Sequence, residues 1–269
     1  MNFSSDNTAG AHPKISENIA KHSLGFASSY GASDLDKKVD AQLSEIFEKD
    51  VSAFFVATGT AANSLCLAAT AKPGGITFCH EEAHIIMDEC GAPEFFSNGS
   101  RLVPLAGREG KIDLEALSAK FEEFDPSFVH YGRPSAVSIT QATEIGSVYK
   151  LDEIEAICDV AHKNDVRAHM DGARFANALV GHGCTPAQMT WKAGIDYLSF
   201  GGTKNGCWCA EALICFNDNM SEELAFLRKR SGQLFSKSRF IAAQFEAYLA
   251  DGLWLELAKN ANDAAQMLG

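Results

Sequence analysis

The sequence predicts an α/β protein built on a mostly parallel sheet. Short runs rich in β-branched and aromatic residues, such as Val51–Ala57 and Val166–Met170, alternate with stretches of helical period. Strands separated by helices imply βαβ units, whose crossovers cover both faces of a parallel sheet. In addition, Thr58–Asn63, Asp171–Arg174 and Gly201–Gly206 gather chemically capable side chains just after predicted strands. Sheets of this kind bind ligands beyond the carboxyl ends of their strands.

Two helices open the chain, over Pro13–Leu24 and Ser33–Phe47. The second places Leu35, Val39, Leu43, Ile46 and Phe47 on one face. Val51–Ala57 is the first strand and runs directly into Thr58-Gly-Thr-Ala-Ala-Asn63 and a helix of small residues. Further strands are expected at Ile76–His80, Arg101–Leu105, Phe128–Tyr131, Ala136–Thr140, Val166–Met170, Tyr197–Phe200 and Ala212–Phe216. Helices are expected at Ala83–Cys90, Leu114–Phe124, Leu151–Lys163, Ala173–Val180 and Pro186–Ala193. From Ser221 onward the pattern is helical, with a long helix over Phe240–Ala250, a break at Gly252 and a further helix to Met267.

Composition narrows the function. The chain has 269 residues, 46% of them hydrophobic, and a net charge of −12. That is enough apolar material for a buried core, and it excludes global disorder. An acidic chain is a poor partner for phosphate backbones and anionic membranes, so neither nucleic acid nor a membrane is expected. Val51–Ala71 is long enough to span a bilayer, yet its Ser, Thr, Asn and Gly residues argue against it. The N-terminus has no secretory pattern, and eight scattered cysteines without a Cys-x-x-Cys pair read as reduced thiols, mostly core. A soluble cytoplasmic enzyme acting on small molecules is the expectation.

Three segments carry chemistry. Thr58-Gly59-Thr60 sits where a strand becomes a helix. Gly59 permits close approach, and the helix start offers free N–H groups suited to phosphate. An ordinary capped helix has the same appearance. In His169-Met-Asp171-Gly-Ala-Arg174, an acid and a base meet at a strand–helix junction. The pair is either a surface salt bridge or an acid for a protonated heteroaromatic nitrogen, with Arg174 gripping an anion. In Phe200-Gly-Gly-Thr-Lys204-Asn-Gly206, a lysine stands among glycines directly after a strand. It is either a solvated loop residue or an amine able to attack a carbonyl. Together the three supply what pyridoxal 5'-phosphate asks for: phosphate donors, a carboxylate for the pyridine nitrogen and an amine for the aldehyde. His84, after another strand, is placed to lie over the ring or to serve as a structural histidine.

With these residues in view the chain resembles the low-specificity L-threonine aldolases, including the phenylserine aldolases. The likeness covers nearly the whole chain and rests on Ser5-Asp6-Asn7, Tyr30-Gly31, Thr58–Asn63, Ala83-His84 with Glu89, Thr140-Gln-Ala-Thr143, His169–Arg174 and Phe200–Asn205. It implies the fold-type-I architecture of pyridoxal-phosphate enzymes: a large seven-stranded domain, a smaller C-terminal domain and active sites shared between subunits of a homodimer or homotetramer. The expected division is 1–245 for the large domain with its N-terminal arm, and 246–269 for the helical start of a truncated small domain.

The resemblance also implies roles. Lys204 forms the Schiff base with the cofactor, Asp171 pairs with the pyridinium nitrogen, and Gly59 and Thr60 bind the phosphate. His84 stacks on the ring and handles the substrate hydroxyl proton. Arg174 and Ser5 position the cofactor or the substrate carboxylate, and Tyr30 and Lys229, beside Arg228, reach an active site, that of a neighbouring subunit included. The implied reaction cleaves L-threonine, L-allo-threonine or a related β-hydroxy-α-amino acid to glycine and an aldehyde. Another pyridoxal-phosphate reaction on the same scaffold, such as β-elimination, and a catalytically incomplete fragment remain the alternatives. No metal is expected: no Cys/His cluster with zinc spacing appears, and the pairing of His80 with His84 reads as chance rather than a site. The bulky Cys207-Trp-Cys209 leaves the pocket beside Lys204 open in shape.

Overall fold

A computed structural model describes residues 4–125, 127–216 and 221–268. Seven strands form one sheet in the order β1-β7-β6-β5-β4-β2-β3. They are β1 (Ser52–Val56), β2 (Gly75–His80), β3 (Arg101–Leu105), β4 (Arg133–Thr140), β5 (Arg167–Gly172), β6 (Tyr197–Gly201) and β7 (Glu211–Cys215). The pairs β2–β3, β2–β4, β4–β5 and β5–β6 are parallel. β7 alone runs the other way, antiparallel to both β6 and β1. The central strands β2, β6 and β7 are buried along their whole length. That explains why they read as continuous apolar runs rather than alternating ones.

Twelve α-helices surround the sheet among the described residues. The first two are α1 (Pro13–Lys21) and α2 (Asp34–Ile46). A capping box between Ser33 and Asp36 starts α2, and its Val39 and Leu43 are fully buried. Next come α3 (Gly59–Thr70), the single-turn α4 (His84–Met87) and α5 (Ala92–Phe96), then α6 (Leu114–Glu123) and α7 (Leu151–Lys163). Ile154, Ile157, Cys158 and Ala161 form the buried stripe of α7. α8 (Phe175–His182) and α9 (Pro186–Met189) follow, with α10 (Ser221–Arg230), α11 (Arg239–Leu249) and α12 (Leu253–Leu268) completing the set. A buried aromatic cluster ties the last two to the sheet. Phe200 of β6 stacks on Phe245 of α11 at 6.0 Å and meets Trp254 of α12 edge-on at 5.7 Å.

Three expectations are corrected. Phe128–Tyr131 is a turn rather than a strand, with Val129 87% exposed. It carries the aromatic and β-branched residues of a strand but has no sheet neighbour against which to bury them. The helix expected over Ala83–Cys90 closes after one turn at Met87, and the chain then turns through Cys90 at positive φ into α5. Pro186–Ala193 likewise splits into α9 and a 3₁₀ turn at Trp191–Ala193. None of the eight cysteines is joined in a disulfide; five are buried and only Cys90 is exposed. Among the described residues no helix is long and apolar enough to cross a membrane, and no three His, Cys, Asp or Glu side chains cluster as a metal site.

Candidate active site

The carboxyl ends of β1, β2, β5 and β6 meet at a cavity of about 240 Å³. It is lined by Gly59, Thr60 and Asn63 from α3, His84 and Glu89 after β2, Asp171 and Ala173 after β5, and Thr203 and Lys204 after β6. Asn7 from the N-terminal turn and Glu211 from β7 complete it, beside Ala57 and Thr58.

Each wall follows from local sequence. Thr58 adopts an extended backbone, and its side chain accepts the Ala61 N–H, capping α3. The N–H groups of Gly59 and Thr60 then belong to the first helical turn and have no acceptor within the helix. Beyond its chain neighbours and its own helix backbone, a Cβ added to Gly59 would meet no atom within 4 Å, so the space in front of it is open. Asp171 is 3% exposed. Its Oδ1 accepts the Ala173 N–H at 3.0 Å and its Oδ2 accepts Asn63 Nδ2 at 2.8 Å. The second proton on Asn63 Nδ2 goes to Glu89 Oε1 at 2.9 Å, and the same oxygen lies 3.0 Å from His84 Nδ1. This bond to Glu89 pushes the His84 imidazole above its ordinary value against the opposing effect of burial, with the Asp171 charge adding to it. His84 Nε2 has no hydrogen-bond partner among the described residues.

Lys204 sits in a 3₁₀ turn (Thr203–Asn205) that the surroundings hold tightly. Gly202 N–H donates to the Ala210 carbonyl, Asn205 Nδ2 donates to Tyr248 Oη and the Trp254 carbonyl, and His12 N–H donates to the Gly206 carbonyl. Gly206 takes φ +104°, and a side chain there would collide with Leu257. Lys204 Nζ itself has no hydrogen-bond or ion-pair partner among the described residues. Trp208, whose bulk left the pocket shape open, is 67% exposed and takes no part in the lining, while Cys207 packs beneath the loop beside Gly202.

Of the residues singled out in the sequence, Gly59, Thr60, His84, Asp171 and Lys204 converge on this cavity. Arg174 stands outside the lining, paired through Nε with Asp6 at 2.8 Å and 3.9 Å from Glu144. Ser5 caps the 3₁₀ turn Asp6–Thr8, which brings Asn7 to the cavity. Tyr30 and Lys229 lie together, with Nζ 5.3 Å from the Tyr30 ring centroid, and neither lines the cavity within one chain. Sequence reasoning gave no role to Asn63, Asn7, Thr203 or Glu211. A charged residue opening the apolar run Glu211–Cys215 was the available signal for the last of these.

The residues fit pyridoxal phosphate. One wall presents unpartnered helix N–H groups for an anion, the opposite walls hold a free primary amine and a buried carboxylate, and Asn63 Oδ1 and Glu89 Oε2 are buried polar atoms without partners at the cavity. The sequence profile of the beta-eliminating lyases matches residues 2–269. The chain belongs to the beta-eliminating lyase family. Within reach of this family stand the low-specificity L-threonine aldolase of Pseudomonas sp. (strain NCIMB 10558), 44% identical, and that of Pseudomonas aeruginosa, 42% identical. Each is matched over 99% of this chain and 76% of the relative. A solved threonine aldolase from Leishmania major superposes with TM-score 0.92 at 28% identity, over 98% of this chain and 76% of that one. An aspartate aminotransferase from Thermus thermophilus, at 15% identity and TM-score 0.72, shares the fold. This beta-eliminating lyase is thus a fold-type-I, pyridoxal-phosphate-dependent enzyme.

Proposed function

We propose that the chain cleaves L-threonine, L-allo-threonine or related β-hydroxy-α-amino acids such as phenylserine to glycine and an aldehyde. The observation that carries this reading is the pairing of an unpartnered Lys204 amine with the His84–Glu89 couple across one cavity. The aldolase relatives at 42% and 44% identity support it.

Bound pyridoxal phosphate supplies an aldehyde for the substrate amine and a conjugated ring that accepts the electrons of a bond broken at Cα. The protein's part is to hold and to move protons. Lys204 Nζ is the amine that binds the aldehyde. Asp171, fixed by Asn63 and the Ala173 N–H, keeps a proton on the ring nitrogen. Thr60 and Gly59 hold the phosphate through the start of α3. His84, anchored at Nδ1, uses Nε2 to take the proton of the substrate β-hydroxyl, and Glu89 steadies the charge that results. Arg174 and Ser5 serve the substrate carboxylate; Asp6 must yield its hold on the guanidinium for Arg174 to act. Tyr30 and Lys229 serve the site of a neighbouring subunit in a cytoplasmic homodimer or homotetramer, and the exposed Leu24, Phe26 and Tyr30 of the N-terminal arm support such an assembly.

The family's description favours β-elimination as the second reading. The purified protein with cofactor and L-threonine is expected to yield glycine and acetaldehyde in equal amounts. Ammonia and an oxo acid instead would establish elimination. Lys204→Ala is expected to abolish turnover and the visible absorbance of bound cofactor; a fully active variant would sink the assignment.

A further inference from the structure

Glu211 is the carboxyl of the cavity that the reading above leaves unused. It opens β7, and because β7 is reversed, that first residue arrives at the sheet edge where the other strands end. Its side chain is 5% exposed. Oε1 accepts the Thr203 backbone N–H at 3.3 Å. Thr203 is the residue before Lys204, so the carboxyl is fastened to the backbone that carries the amine. The remaining cavity carboxyls are engaged elsewhere: Asp171 by Asn63 and the Ala173 N–H, Glu89 by Asn63 and His84. No carboxylate forms an ion pair with Lys204 Nζ among the described residues, so contact with Glu211 requires rotation of the flexible four-carbon stem within the cavity that both line.

We propose that Glu211 is a positioning residue acting through Lys204: it holds the proton that Nζ takes up when the amine is free and gives back before Nζ forms its next covalent bond. The inference rests on Lys204 being the amine that binds the cofactor. In the first half of the exchange the Nζ lone pair accepts the proton of the Glu211 carboxyl, leaving an ammonium and a carboxylate. In the second half the proton returns to the carboxyl and the lone pair is restored. No further reactant is consumed.

The surroundings suit a group that both gives and accepts near neutrality. Burial pushes the Glu211 carboxyl up to about 7, hydrogen bonding from Thr203 opposes this, the Asp171 charge adds to it and Lys204 lowers it. The other titratable groups facing it are Cys207 and Cys209 on the same turn and Tyr248 on α11, all held above their ordinary values chiefly by burial. At neutral pH these stay uncharged, which leaves Asp171 and Lys204 as the charges Glu211 feels.

The test begins with the full chain free of cofactor, its glutamates labelled with ¹³C at the carboxyl. The resonance lost in Glu211→Gln, or shifted in Glu211→Asp should the first variant not fold, identifies the group. Its midpoint is expected near pH 7, and Lys204→Met is expected to raise it by about 1 unit, because a neighbouring positive charge is removed. In the holoenzyme, Glu211→Gln is expected to lower kcat about 10-fold with KM little changed and to flatten the pH profile around neutrality, with partial recovery in Glu211→Asp. A midpoint below pH 5, or one that ignores Lys204→Met, overturns the proposal, as does a wild-type pH profile in Glu211→Gln. Full aldol activity in Lys204→Met would overturn the lysine assignment instead, and the NMR midpoints would still report the coupling.

Discussion

His84 shows how one hydrogen bond sets a working range. Glu89 Oε1 lies against Nδ1 and raises the imidazole above its ordinary 6.5. For Nε2 to accept a hydroxyl proton the ring must be neutral, so the acid limb of kcat/KM is expected above pH 6.5. Glu89→Gln removes the charge, and that limb is expected to move to lower pH; an unmoved limb would exclude His84 as the group that titrates. Because a raised histidine binds its proton more tightly in the folded chain, this pair stabilises the fold below pH 6.5, and the contribution is lost as pH rises through the folded value. His84 was visible in the sequence because it follows a strand end. Its dependence on Glu89, five residues on, was not, since the link forms only when the chain closes α4 after one turn and folds back.

At the scale of elements, the start of α3 combines a stabilising cap and a ligand wall in adjacent residues. Thr58→Ala removes the bond to the Ala61 N–H and is expected to cost about 1 kcal/mol in denaturant unfolding. Gly59→Ala should behave in the opposite sense. Its new Cβ enters open space, so stability stays near wild type while cofactor affinity falls in a spectroscopic titration. α7 was legible to the residue, because Leu151–Lys163 has a single apolar stripe between polar flanks. α5 was not legible: Ala92–Phe96 is too short for a period to register, and only the Gly91 turn and Pro93 mark it. Phe128–Tyr131 failed for the complementary reason, since strand propensity without a pairing neighbour is no strand.

Across the whole molecule, the alternation of strands and helices carried the layered architecture, and the ends of four strands carried the site. What the sequence left out is the direction of β7, because an apolar run reads the same whichever way it lies. Glu211 therefore stayed hidden until the sheet order was known. Burial imposes a further property on the assembled sheet. His169, bonded at Nδ1 to Ser138 Oγ and at Nε2 to Ser199 Oγ, is 1% exposed, and burial pushes it down to about 4. It folds neutral, so its contribution to stability is present above pH 6.5 and is lost as pH falls towards 4, by about 3 kcal/mol in all. Unfolding in urea from pH 7 to pH 4.5 is expected to show this slope, and His169→Asn to reduce it.

The β6–β7 hairpin gives the molecule an order of opening. Lys204 and Glu211 hang from two strands buried along their whole length, whereas Asp6, which holds Arg174, belongs to a three-residue turn with no buried residue. Amide hydrogen exchange is expected to be fast at Asp6–Thr8 and to approach the global unfolding limit at Leu198–Phe200 and Ala212–Ile214. The rim can therefore breathe, admit and release small molecules many times over while the residues at the floor keep their spacing.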